Sequence, residues 1–243
     1  MNFSSINFIT LYGILVGLVP SFLLLVYLME PYEKEVEDDV LWKGFFFGFF
    51  LGVIAFLLEA AGFFGFGSDA GVAFYSIFGL SIVHPMMIGM ILNRKENHEK
   101  RESIAFGASL GFGFSSSYGF TIFAGALLKE DIVTAYQQLS AIIYVLGIIM
   151  LLGSTGVVIG YGVFAGEYGK CVGLTITVHI LPNVFKFLKY LYLIPLWLLA
   201  LFLLLYGGGF YLIVKKDFMP HLSPEAIRRK KIEKKLIIKG RLG

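Results

Sequence analysis

Long apolar runs govern what this chain can fold into, and there are seven of them: about 8–29, 43–65, 70–92, 103–127, 139–165, 171–189 and 191–214. A helix crossing a hydrocarbon core of about 30 Å needs about 20 mostly apolar residues, and each run meets or nearly meets that length. Inside lipid a continuous run has to satisfy its own backbone hydrogen bonds, which a helix does unaided. An outer-membrane barrel would read as roughly ten-residue segments of alternating polarity, and these runs do not alternate. Charged residues make up 15% of the chain, against about a quarter in a soluble domain, too few to give it a hydrated surface. The fold class is therefore all-α: a polytopic membrane protein of about seven transmembrane helices, with 1–214 as the transmembrane domain. The same shortage excludes a soluble globular enzyme, a disordered chain and a nucleic-acid-binding domain. The weakest boundary is the sixth with the seventh span, around Pro182 to Leu191, where Lys186 and Lys189 interrupt an apolar stretch.

Basic residues set the direction of insertion. With the N-terminus outside, the inward segments hold Lys34, Lys43, Arg94, Lys95, Lys100, Arg101, Lys170 and the basic residues from Lys215 onward. The outward segments hold only Lys129, Lys186 and Lys189. The expectation is an outside N-terminus, a cytoplasmic C-terminus and residence in the cell membrane. Met1 to Thr10 lack a basic n-region and a small-residue cleavage site, so the first run is expected to remain as a span. The acidic loop from Glu30 to Asp39 reads as a solvated linker or, alternatively, as a contact for a cation or a partner. Residues 215–243 read as a basic cytoplasmic tail in which Ser223-Pro224-Glu225 caps a short amphipathic helix. Such a helix serves either as an orientation signal or as a contact for anionic lipid. The single cysteine, Cys171, excludes a disulfide framework.

Small residues recur at four-residue spacing: Gly13 and Gly17; Gly44, Gly48 and Gly52; Gly107 and Gly111, continued by Ser115 and Gly119; Gly156 and Gly160. Residues four apart stack on one helix face, so each set is a groove that a neighbouring backbone can enter. The neighbour is either another span of this chain or a second membrane protein. Gly111-Phe112-Gly113 is no dinucleotide motif, because the third glycine and the preceding strand are missing.

Ionisable groups inside a bilayer are costly and mark candidate sites. Counting about 1.5 Å per residue from the cytoplasmic ends brings His84 and His179 to similar depths. Ser115, Ser116, Ser117 and Tyr118 fall slightly deeper in the fourth span, and Ser154 and Thr155 join them from the fifth. Asn183 lies one turn beyond His179 on the same face. His84, Ser117, Tyr118, Ser154, Thr155, His179 and Asn183 thus form the candidate polar site, one layer supplied by four spans. No metal is expected, since catalytic zinc usually has three protein ligands and only two histidines sit here; no cofactor is expected either. A serine hydrolase is disfavoured because no Asp lies within these spans to orient a histidine. Glu59, near the outer end of the second span, is expected either to reach the outer interface or to keep its proton, in both cases away from the histidine layer.

The order of features resembles the PrsW family of intramembrane proteases, distant relatives of the CAAX-prenyl-protease and bacteriocin-processing group. The resemblance runs from Tyr-Leu-Met-Glu-Pro-Tyr-Glu-Lys-Glu at the end of the first span, through the Gly- and Phe-rich second span and Gly111-Phe112-Gly113-Phe114, to Gly160-Tyr161-Gly162. It ends at His179-Ile180-Leu181-Pro182-Asn183, which is similar to that family's late His-x-x-x-Asn element. The family's catalytic motifs do not carry over. Where its third span bears Glu-Glu-x-x-Lys, this chain has His84-Pro85-Met86-Met87-Ile88. Ser117-Tyr118 stands in place of Glu-Asn, and Leu152 to Ser154 lie near the place of a further histidine. The resemblance thus implies a protease-like shell without the glutamates that activate water. The seven-span scaffold subunit of gamma-secretase, a non-catalytic relative, is similar in size, span number and the small-residue ridge from Ser109 to Ser117.

Three functions follow as expectations. The first is a catalytically degenerate scaffold that binds lipid or a transmembrane segment, or supports another membrane protein. The second is an active intramembrane protease with an altered site, histidine serving as base with Ser117 or Tyr118 assisting. The third is a small transporter or channel, since buried histidines also serve proton relays.

Overall fold

The central helix of the bundle is the one long helix among the described residues that falls short of a membrane span in hydropathy. In the computed structural model, which describes residues 3–65, 69–129 and 134–225, the chain runs as α1 (Phe3–Met29), α2 (Asp38–Gly65), α3 (Asp69–Phe74), a π-helical turn (Tyr75–Gly79), α4 (Leu80–Leu92), α5 (Glu102–Lys129), α6 (Ala135–Phe164), α7 (Tyr168–Tyr190) and α8 (Leu196–Asp217). Six helical stretches are long and apolar enough to cross a membrane, with α3, the π turn and α4 counted as one. The seventh long helix is α5, 28 residues in length. It packs against α1, α2, α4 and α6, and Ala105, Ala108, Leu110, Phe112, Phe114, Ser115, Ser116 and Ser117 are wholly buried. A helix enclosed by protein needs no apolar sheath, so it can carry the Gly and Ser residues that lower its hydropathy. The lipid-facing role falls to the outer helices, where Phe46, Phe50, Leu57, Leu205 and Leu212 are exposed. The all-helical, polytopic membrane architecture expected from the sequence is the one observed.

The small-residue ridges all close onto α5 from within the chain. A Cβ on Gly48 would run into the Leu110 carbonyl and the Phe114 amide, one on Gly17 into the Ser116 carbonyl, and one on Gly156 into the Gly107 carbonyl. Close approach of backbones is how helices associate where lipid offers no hydrophobic drive. Of the two neighbours open at the sequence level, another span of this chain is the one found.

Three helix details position the site. Pro182 lies inside α7, and the break between the sixth and seventh spans falls at the Leu191 end of the stretch expected from the sequence: the helix continues to Tyr190, a short turn follows, and α8 starts at Leu196. A proline in a helix leaves the carbonyl four residues back without its donor. For Pro182 that carbonyl is Val178, and the Tyr206 hydroxyl of α8 donates to it at 2.9 Å. The π turn in the third span adds a residue to the helical repeat, as such turns do at functional sites; it carries Ser76 and ends just before Ser81 and His84.

The start of α6 is set by a reciprocal cap. The Gln137 amide donates to Thr134 Oγ1 at 3.2 Å, and the Thr134 amide donates to Gln137 Oε1 at 2.9 Å. Thr134→Ala should cost about 1 kcal/mol, read as a lower thermal midpoint in detergent with little change in the rest of the bundle. The basic segment of the tail that reads as an amphipathic helix lies, beyond Glu225, outside the described residues.

Candidate polar site

Helices α4, α5, α6 and α7 meet along one line, and their polar side chains form a linked cluster there. His84 and His179 face each other across α4 and α7 with ring centroids 6.3 Å apart. His84 also packs edge-on against Tyr118 at 4.9 Å and Phe114 at 5.6 Å. Both imidazoles are buried. His179 Nε2 and Thr155 Oγ1 are 2.8 Å apart, while the same hydroxyl lies 3.0 Å from the Leu151 carbonyl. The hydroxyl has one proton, and the carbonyl can only accept it. With that proton on the carbonyl, the bond to the ring is donated by Nε2–H; with it on the ring, Nε2 accepts. Asn183 Nδ2 donates to Ser81 Oγ at 2.8 Å, and Ser81 donates to the Ile77 carbonyl, tying α7 to the third span. His84 Nε2 is buried without a hydrogen-bond partner among the described residues.

One layer further on, Glu59 of α2 joins the cluster. It does not reach for the outer interface, as its position in the sequence implies: it turns inward, 7% exposed, and forms an ion pair with Lys186 of α7. Tyr118 donates to the other carboxylate oxygen, and Lys186 Nζ lies 3.1 Å from the Tyr118 hydroxyl. The reason is geometric. Lys186 is two turns beyond His179 on the same face of α7, and the length of the tyrosine side chain spans the distance between the two layers.

Of the sequence-derived candidates, the structure brings together His84, Tyr118, Thr155, His179 and Asn183. Ser117 is turned the other way and donates to the Phe49 carbonyl of α2 at 2.6 Å, in the seam opened by Gly52. Ser154 is buried with no partner and does not line the cavity between the histidines. Sequence reasoning missed Lys186, Tyr144, Ser81 and the inward turn of Glu59. A helical-wheel signal was present for two of them: Ser81 is three residues before His84, and Lys186 seven after His179.

The cavity that His84, Tyr118, Tyr144, His179, Asn183 and Lys186 enclose measures about 30 Å³, room for a water molecule and nothing larger. Lys186 and Tyr144 also line a second chamber of about 350 Å³, which lies where α5 ends and α6 begins and is walled by α2, α5, α6, α7 and α8. Among the described residues no three His, Cys, Asp or Glu side chains are grouped to hold a metal ion. No protein-family model, curated protein or solved structure matches the chain.

Proposed function

We propose that this chain is a PrsW-like multi-pass membrane protein whose hydrolytic centre has degenerated, and that it serves to hold a lipid or a transmembrane segment. The observation that supports the reading is the size of the space among the polar groups. A hydrolytic site needs a water, a base and a substrate carbonyl within about hydrogen-bond reach of one another. Here the groups of four helices bond chiefly to one another around about 30 Å³, which excludes a peptide unit. Space on the scale of a ligand lies beside it, in the chamber of about 350 Å³, within the range of small-molecule sites. Glu59, the carboxylate nearest the histidines, is held by Lys186 and Tyr118 and is not free to act as a base.

The purified protein in liposomes should leave a set of single-span substrates intact, and His84→Ala and His179→Ala should behave as the wild type. Cleavage that disappears in either variant would overturn the reading. One observation favours the active alternative: His84 Nε2 has no partner among the described residues and borders a water-sized cavity, as a histidine base would. Ser117 has no part in that alternative, being bonded toward α2, so Tyr118 is the remaining assistant. The cleavage assay decides between the two.

A further inference from the structure

The larger chamber has a chemical bias that goes beyond its size. Its walls are apolar, with Phe56, Phe123, Phe187, Leu196 and Leu199 among them, and its polar lining includes Glu59, Lys186, Lys189 and Ser76. Two ammonium groups against one carboxylate leave one positive charge in excess among the described lining residues. The unused hydrogen-bonding capacity points the same way. Lys186 has three ammonium protons, and its two recorded partners are Glu59 and Tyr118. Lys189 has no ion-pair partner among the described residues. Ser76, 1% exposed, has a buried Oγ with no hydrogen-bond partner among the described residues. A buried hydroxyl left without a partner is destabilising, and it sits on the π turn, a helical irregularity of the kind that accompanies functional sites.

We infer that this chamber binds an amphiphile with a single anionic oxyacid head, a carboxylate or a phosphate, on an apolar tail. The head accepts from Ser76 Oγ and from the lysine ammonium groups, and its charge balances the excess positive charge. The tail takes the place of lipid against the aromatic and leucine walls. Glu59 keeps Lys186 in place and, by its own charge, admits only one negative group. The inference rests on the ligand-holding reading above and names the ligand class for it.

The test uses the full chain in detergent micelles and a dansyl-labelled undecanoate as probe, with its methyl ester as the uncharged control. Saturable binding of the acid, tighter than the ester by a factor of about ten or more, is the expected result, since hydrogen bonds to a charged group are the strong ones. Ser76→Ala and Lys189→Gln should each weaken the acid several-fold and leave the ester unchanged, while Lys100→Gln, which lines other pockets and not this chamber, should alter neither. Displacement by oleate marks a carboxylate as the natural head, and displacement by lysophosphatidylglycerol, a phosphodiester with one negative charge, a phosphate; either supports the inference. Equal binding of acid and ester, displacement by inorganic phosphate alone, or indifference to both variants overturns it. Displacement by a single-span peptide but by neither lipid overturns the amphiphile and leaves the ligand-holding reading intact. Cleavage of that peptide would overturn the degenerate-protease reading, whatever the probe does.

Discussion

Lys186→Met should be the most damaging single substitution in the polar cluster, lowering stability by about 3–5 kcal/mol. The loss comes from what it leaves behind more than from what it removes. Glu59 is 7% exposed, and without the ammonium its charge would be held in the bundle with only the Tyr118 hydroxyl for company. Removing one partner of a buried pair is costly, whereas replacing both with apolar groups of similar volume is often close to neutral. The double substitution Glu59→Leu with Lys186→Met should therefore recover most of the loss. Adding Tyr118→Phe should recover more, because the hydroxyl would otherwise lose its acceptor. Unfolding in mixed detergent micelles reads the series. A single Lys186→Met variant within about 0.5 kcal/mol of wild type, the range of ordinary surface changes, would mean that the pair does not form.

Gly156→Leu should have the second-largest effect, at or beyond the top of the about 1–3 kcal/mol range for overpacking. A Cβ there meets the Gly107 carbonyl and, at 2.9 Å, the Gly111 backbone, so no side chain can rotate away to make room. The two helices have to separate. Thr155, the next residue along, holds His179, and the displacement of α6 should carry into the polar site. Gly156→Ala should be milder but of the same sign, and combined with Gly107→Ala should cost less than the sum, since one separation accommodates both. Gly173→Ala is the control. Its Cβ meets nothing within 4 Å, and relief from glycine's entropy in a helix should stabilise by about 0.5–1 kcal/mol. Thermal midpoints in detergent that fall equally for Gly156→Ala and Gly173→Ala would refute the close approach of α5 and α6.

How far the site could be read from the sequence followed the reach of helix periodicity. His179 and Asn183 share a face by spacing, and depth counting brought His84, Thr155 and Tyr118 to their level; the structure joins these five. Depth counting says nothing about rotation around the helix axis. Ser117 and Ser154 are at the right level and on the wrong side, the first bonded to Phe49 of α2. Glu59 failed for the opposite reason. Its own depth pointed to the interface, but what matters is the depth its partners reach, and Tyr118 and Lys186 are both long enough to meet it.

The apolar runs and the scarcity of charge by themselves determined that this chain is all-helical and polytopic, because backbone groups in lipid have no other partner than their own helix. The spacing of the small residues likewise determined that helices would approach closely. Which helix they approach was decided only by tertiary structure: Gly17, Gly48 and Gly156 come from three different helices and all close on α5, an outcome no spacing within one helix encodes. The pairing of Glu59 with Lys186 was decided there too, since the two residues lie 127 positions apart and only the packing of α2 on α5 and of α7 on α4 and α6 brings the charges within reach.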